Sequence, residues 1–240
     1  MPAPVVHSAV IPYRYRGPKT SGNGGYSCGV IGKHLDGAVE VTLRVPPPLD
    51  HEMSVEVEGE TARLMDGDKL VGEARTRELE LDVPEPPTME QARAATAHYI
   101  GHKKHPLPEC FVCGTSREGK DALCLFTGKV EGRELVAAPW TPDTSLPNEN
   151  GVVTPEVVWA ALDCPSYFGT LQGVLFALLG RLTARIDGEV RVGEDYVVIG
   201  WPRGQDGRKY YGASAIYAAD GTLVACADAV WIQVDPSKLK

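Results

Sequence analysis

Two groups of alternating apolar and polar residues run along the chain, and each group predicts a set of β-strands. An opening strand over residues 5–15 precedes the first group, which covers residues 38–45, 53–58, 61–65 and 70–81. A hairpin of residues 123–130 and 134–140 precedes the second group, which covers residues 179–190, 196–201, 209–218 and 223–234. Asp-Gly pairs separate the strands of the second group, and such pairs favour tight turns between antiparallel strands.

Each half of the pattern also contains one predicted helix, placed before its four strands. The first helix covers residues 26–35 and follows a glycine-rich loop over residues 17–25. The second lies within residues 150–169, where Thr154 suits an N-cap, Pro155 suits a first helical turn, and residues 157–162 are all apolar. A helix that is apolar on most sides is buried in the core. A third, Ala-rich helix is predicted over residues 89–100, between two proline-rich segments.

The two halves therefore share one plan, which is an entering strand or hairpin, a helix and four antiparallel strands. No alternation of strand and helix persists along the chain, so the pattern predicts the α+β class. We expect a first half at residues 1–82, a linker with its own helix at residues 83–108, and a second half at residues 109–240.

Composition narrows the class of function. The 240 residues carry a formal net charge of -8, which argues against a nucleic-acid or anionic-membrane partner because both need a basic surface. No apolar run approaches the roughly 20 residues that span a bilayer, and the first residues lack the basic and apolar regions of a signal peptide. We expect a cytoplasmic protein with no membrane partner.

Asp163 is the main candidate for chemistry, because it is the one carboxylate that follows the apolar run of the second helix. On a helical projection its neighbours are Glu156, Trp159 and Tyr167, so it does not belong to a solvated stripe. A buried carboxylate has a shifted pKa, which is typical of functional sites. The alternative is an acid that turns outward or pairs with an arginine, such as Arg181 or Arg185.

The six cysteines are expected to be reduced and buried rather than bridged. Cys110 and Cys113 are spaced as zinc ligands are, with His102 and His105 upstream, but the second ligand pair of a typical zinc finger is absent. A tight turn at Cys113 is therefore preferred. Phosphate-binding and dinucleotide-binding glycine motifs are absent as well. We expect no metal and no cofactor.

Two stretches carry a resemblance to a known family. They are residues 155–163 (Pro-Glu-Val-Val-Trp-Ala-Ala-Leu-Asp) and residues 220–231, and the residues Asn-Gly-Gly-Tyr at 23–26 match them in the first half. With these stretches the chain resembles a tandem, or double, hot-dog protein of the acyl-CoA thioesterase superfamily. The resemblance implies two antiparallel sheets, each wrapped around a central helix. It also implies a helix-borne carboxylate that acts as general base or nucleophile, and a backbone amide at a helix start that stabilises the oxyanion.

The halves divide these roles between them. The first helix has no acid at the position that matches Asp163, but it opens with Gly24 and Gly25, whereas Pro155 of the second helix cannot donate a hydrogen bond. We therefore predict one composite catalytic site, made of Asp163 and the amides of Gly24, Gly25 and Tyr26.

The predicted substrate is an acyl-CoA or another small thioester. Aromatic side chains of the second helix, Trp159, Tyr167 and Phe168, are expected to line an acyl tunnel, and Arg203 and Lys209 are candidates for contact with the phosphates of coenzyme A. The resemblance further implies a homodimer. A non-catalytic acyl or small-molecule binding protein on the same scaffold is the alternative function.

Overall fold

The computed structural model describes residues 4–171 and 176–235. Its strands in the first half are β1 (Val5–Val10), β2 (Val39–Leu43), β3 (Glu52–Glu58), β4 (Thr61–Asp66) and β5 (Lys69–Thr76). Those in the second half are β6 (Gly128–Lys129), β7 (Val136–Trp140), β8 (Asn148–Glu149), β9 (Val152–Val153), β10 (Ala177–Ile186), β11 (Tyr196–Asp206), β12 (Lys209–Ala218) and β13 (Leu223–Gln233). The helices are α1 (Gly24–Gly32), α2 (Met89–Ala95) and α3 (Pro155–Leu171), and short 3-10 helices cover Tyr13–Tyr15, Thr96–His98 and Ile100–His102.

Eleven of the strands form one continuous antiparallel sheet in the order β1-β3-β4-β5-β2-β10-β13-β12-β11-β7-β6, while β8 and β9 form a separate small hairpin. This confirms the α+β class and differs from the predicted pair of separate sheets. The two sets of strands are joined because β2 pairs with β10, with Val41 opposite Leu182. An edge strand leaves its N–H and C=O groups unpaired, and pairing β2 with β10 removes one edge from each half.

Helices α1 and α3 pack against each other, and both contact the sheet. Glycines of α1 allow the close approach. A Cβ atom placed on Gly25 would stand 2.5 Å from Cβ of Asp163, and one placed on Gly29 would stand 2.6 Å from Cα of Glu156. No side chain larger than hydrogen fits there without movement of the helices. The apolar run of α3 is buried as predicted, from Val157 to Leu162.

Helix α2 lies on the other side of the sheet. Its Ala92 and Ala95 pack in a second apolar cluster with Val197 and Ile199 of β11, whereas Val198 belongs to the main core, and alternate residues of a strand point to opposite faces. Thr88 and Gln91 form a capping box at the start of this helix. The helix is shorter than the predicted 89–100, because 3-10 turns follow it.

Other elements also differ from their predicted bounds. Helix α1 begins before residue 26 because Asn23 caps it, and the strand predicted over residues 123–130 is reduced to the two residues of β6. Residues 103–127 contain no helix or strand, although Phe111, Val112 and Leu125 are fully buried.

Within the described ranges, no helix has both the length and the apolar character that crossing a bilayer requires. The bounds of the two halves stay a prediction, and their outer ends, residues 1–3 and 236–240, lie outside the described residues.

Candidate functional site

Asp163 lies inside the protein, at the contact between α3 and the start of α1, and its residue is only 1% exposed. Its Oδ2 accepts hydrogen bonds from Asn23 Nδ2 at 2.7 Å and from the Gly25 amide at 3.0 Å. Its Oδ1 is buried and has no hydrogen-bond partner among the described residues. The outward or arginine-paired alternative does not apply, because Arg181 pairs with Glu40 at 3.5 Å and Arg185 with Asp187 at 2.8 Å.

Burial raises the pKa of Asp163 to about 7. The Gly25 amide opposes this shift by donating to the carboxylate, the negative charge of Cys110 adds to it, and the Asn23 amide opposes it. Desolvation dominates because a charged carboxylate loses its water in this position. The carboxyl group therefore exchanges between its protonated and ionised forms near neutral pH.

Asn23 joins the two helices at this point. Its Oδ1 accepts from the Tyr26 amide at 2.9 Å and so caps α1, while its Nδ2 donates to Asp163. The two contacts require opposite ends of the side-chain amide, which defines its orientation. Sequence reasoning assigned no role to Asn23, although an asparagine directly before Gly-Gly is a typical N-cap signal.

The structure brings Asp163 and the start of α1 together, as the composite site requires. Two of the three predicted amides, however, already donate to acceptors within the protein. Gly25 N–H donates to Asp163 and Tyr26 N–H donates to Asn23, so neither is directed at a ligand. The ring of Tyr26 stacks on Tyr15, with a centroid separation of 3.9 Å. Gly24 N–H has no acceptor among the residues that the structure describes, and it remains the amide that a bound ligand can use.

A cavity of about 270 Å³ borders the free side of this arrangement. Asn23, Gly24 and Asp163 form part of its wall. Much of the remaining wall is apolar and includes Leu43, Val45, Tyr167, Phe168, Leu179 and Ile232. Ligand sites typically combine such a mainly apolar wall with a few polar groups that orient the ligand.

The residues predicted to bind substrate are divided between this cavity and other places. Tyr167 and Phe168 line it. Trp159 does not, because its ring packs beside Gly32, where a Cβ atom would stand 2.7 Å from Cζ2 of Trp159. Arg203 pairs with Asp228 at 3.3 Å in a separate charged groove, and Lys209 is exposed at the turn between β11 and β12.

Three cysteines converge at the same cavity. The Sγ atoms of Cys110 and Cys164 are 3.7 Å apart, those of Cys113 and Cys164 are 3.1 Å apart, and all three lie within 4.8 Å of one another. Sequence spacing drew attention to Cys110 and Cys113. It could not reveal Cys164, which is about 50 residues away and reaches them through the packing of α3.

No protein-family model matches the chain, and no curated protein matches it significantly. Solved structures do match over almost the whole chain. The tesB protein of Mycobacterium avium subs paratuberculosis has a TM-score of 0.61 at 14% identity, with 96% of this chain and 93% of that chain covered. A protein of Alicyclobacillus acidocaldarius, described as a conserved protein of unknown function with a hot dog fold, has a TM-score of 0.59 at 10% identity, with 96% and 94% covered.

This chain has the hot-dog fold. The acyl-CoA thioesterase II TesB2 of Mycobacterium marinum is a further match, with a TM-score of 0.59 at 9% identity and coverage of 97% of this chain and 94% of that one. The resemblance to hot-dog thioesterases is thus confirmed for the arrangement of the chain, and the long, nearly complete coverage agrees with a tandem of two hot-dog halves. At these identities the likeness shows the fold and not the activity.

Proposed function

We propose that this hot-dog protein is a thioester hydrolase that acts on acyl-CoA or a related small thioester. The observation that carries the proposal is the Asp163 carboxyl group, which has one oxygen held by two donors and the other without a partner beside an apolar cavity. The names of similar structures, a tesB protein and an acyl-CoA thioesterase II, agree with it. An acyl chain supplies the apolar surface that such a cavity binds.

The roles of the two carboxylate oxygens follow from their contacts. The bonds from Asn23 and Gly25 hold Oδ2 and so orient the group, and the ionised Oδ1 takes a proton from a water molecule as that water adds to the thioester carbonyl. In the nucleophilic alternative, Oδ1 itself attacks the carbonyl carbon and water later cleaves the anhydride. In both routes the C–S bond breaks, and the products are a carboxylic acid and a free thiol.

The developing oxyanion needs a donor that is directed at the cavity. We assign this role to Gly24 N–H, because Gly24 opens α1 and borders the cavity and its amide has no acceptor among the described residues. The positive end of the helix dipole adds to its effect. Gly25 and Tyr26 support the site indirectly, since their amides hold Asp163 and Asn23.

The two ends of the substrate meet different surroundings. Tyr167 and Phe168 supply aromatic wall for the acyl group. Arg44 is a cation that borders the cavity, and its half-exposed side chain pairs with Glu73. We assign the coenzyme A phosphates to Arg44 in preference to Arg203 and Lys209, because those two residues lie apart from the cavity. The test of this assignment is Arg44→Ala, which is expected to raise KM for acyl-CoA with little change in kcat.

The proposal for Asp163 is tested with two isosteric variants on the same helix. Asp163→Asn removes the base, and we expect it to lower kcat by about 100-fold to 10,000-fold, which is the range for loss of a general base. Glu156→Gln is the matched control, because Glu156 lies seven residues earlier and pairs with Lys33 at 2.6 Å, away from the cavity. Both variants are assayed for thiol release across acyl-CoA chain lengths, with circular dichroism to verify folding. Unchanged turnover in Asp163→Asn would show that another group performs the chemistry.

The alternative function is a non-catalytic acyl-binding protein, and one observation favours it. Two of the three amides at the start of α1 are engaged within the protein, which leaves fewer donors for an oxyanion than the predicted composite site would have. Isothermal titration with acyl-CoA in the wild-type protein separates the two functions. Saturable binding with no thiol release from any thioester in the panel would support the binding protein over the hydrolase.

A further inference from the structure

We propose that Cys110, Cys113 and Cys164 form a binding site for one thiophilic divalent cation, with Zn²⁺ as the expected ion. The site ties the irregular segment of residues 103–127 to helix α3. This inference goes beyond thioester hydrolysis and does not depend on it.

The positions of the sulfur atoms carry the proposal. Around a tetrahedral Zn²⁺ with Zn–S bonds of ~2.3 Å, two sulfur ligands stand about 3.8 Å apart. The Cys110 and Cys164 sulfurs are 3.7 Å apart, those of Cys113 and Cys164 are 3.1 Å apart, and no pair in the trio exceeds 4.8 Å. Moving Cys113 Sγ away from Cys164 Sγ by about 0.7 Å brings that pair to the same spacing. The Cys-x-x-Cys spacing of the first two ligands is common in structural zinc sites.

A nearby side-chain amide suits a thiolate at Cys110. Asn23 Nδ2 is 3.8 Å from Cys110 Sγ, so this amide serves both the cysteine and Asp163. His105 Nδ1 accepts from the Leu107 amide at 3.0 Å, which places the proton of the neutral ring on Nε2. That Nε2 is buried and has no acceptor among the described residues, and His105 lines the same cavity as the three cysteines.

The fourth coordination place on the cation stays open in this arrangement. The three cysteines border the cavity, so a water molecule or a ligand that enters the cavity would occupy that place. His105 lines the same cavity, but a ring whose Nε2 carries the proton cannot ligate a cation through that atom.

A shared cation would stabilise a segment that lacks regular secondary structure. Residues 103–127 contain no helix or strand, and loops longer than about 12–15 residues without regular structure are uncommon. Within this segment Cys110 and Cys113 are buried, and Cys164 belongs to the core helix. A cation shared by the three thiolates would hold the segment against α3. The cation binds thiolates and not thiols, so loading becomes tighter as pH rises.

A disulfide is the main competing interpretation of the cluster. It would use two of the three sulfurs at an S–S distance of about 2.05 Å and would leave the third thiol without a function. The convergence of all three sulfurs, together with the Asn23 amide 3.8 Å from Cys110 Sγ, favours a cation.

The experiment measures metal content rather than activity, so its result is separate from that of the hydrolase proposal. The full chain is produced without a metal-affinity tag, kept reduced, equilibrated with Zn²⁺ and passed through a desalting column before elemental analysis. We expect about one zinc per chain in the wild type and in Cys124→Ser, and a loss of at least about tenfold in Cys110→Ser and in Cys164→Ser. Cys124 is the matched control because it lies in the same segment but outside the trio.

A second measurement uses the wild type alone, in case a variant fails to fold. Loading with Co²⁺ is expected to give thiolate-to-cobalt charge-transfer absorption and the intense visible bands of a tetrahedral ion. Chelation is expected to lower the melting temperature of the zinc-loaded wild type. Reduced, folded wild type that retains no zinc and shows no cobalt–thiolate absorption would overturn the proposal. An intact mass that is two hydrogens lighter, with the bridge mapped to this trio, would replace the cation with a disulfide.

Discussion

The close contact between α1 and α3 makes a prediction that can be worked through from the structure. In Gly25→Ala the new Cβ would stand 2.5 Å from Cβ of Asp163 and 2.6 Å from the Trp159 carbonyl oxygen, whereas ordinary contacts begin at 3.4 Å. The helices must therefore separate by about 1 Å, and overpacking of this kind costs about 1–3 kcal/mol. Separation also weakens the bond from the Gly25 amide to the carboxyl group, and such bonds contribute about 1.5–3 kcal/mol. We expect a total loss of roughly 3–5 kcal/mol.

Urea denaturation followed by tryptophan fluorescence and circular dichroism measures this loss. In a chain of this size each kcal/mol lowers Tm by about 2–4 °C, so a thermal melt should fall by roughly 6 °C or more. Gly119→Ala is the control, because a Cβ atom at Gly119 meets nothing within 4 Å. The inferred contact between the two helices would be wrong if the free energy of unfolding of Gly25→Ala lay within about 1 kcal/mol of the values for the wild type and Gly119→Ala.

Three further substitutions test other parts of the fold by the same denaturation assay. Glu40→Ala removes the buried acceptor of three arginines and should lower the free energy of unfolding by about 1–3 kcal/mol. Its control, Glu58→Ala, removes an exposed ion pair with an N–O distance of 3.8 Å and should lower it by less than about 1 kcal/mol. Equal losses in the two variants would refute the importance of the buried cluster. In the wild type the Trp231 indole N–H donates to the Ser166 hydroxyl at 2.9 Å. Ser166→Ala removes this acceptor and should lower the free energy of unfolding by about 1–3 kcal/mol, so unchanged stability would count against that bond. Arg117→Lys should cost about 2–3 kcal/mol, because the buried guanidinium donates to several backbone carbonyls that one ammonium group cannot reach together; full stability of this variant would contradict the described contacts.

The strand and helix pattern was predictable because it depends on local periodicity. Alternation of apolar and polar residues located the long strands β10 to β13, although their ends shifted by a few residues. The continuous apolar run located α3 and marked Asp163 as an acid within it. Where the local signal was weak, prediction failed. Residues 103–127 bury large apolar side chains without the period of either element.

The chain alone also indicated that α3 supplies an acid and that the start of α1 supplies amides. It did not show how these groups would be used. Asn23 and Asp163 are 140 residues apart, and their bond exists because the glycines of α1 let the two helices meet closely. The same contact directs the Gly25 amide to the carboxylate and leaves Gly24 facing the cavity.

The sequence by itself determined the order of the elements, the α+β class and the placement of one acid in an apolar helix, since each follows from the character of neighbouring residues. Only the tertiary structure decided that β2 and β10 merge the halves into one sheet, and that Cys164 joins Cys110 and Cys113. These features are contacts between distant segments. They depend on how whole surfaces fit together, and periodicity along the chain carries no record of that fit.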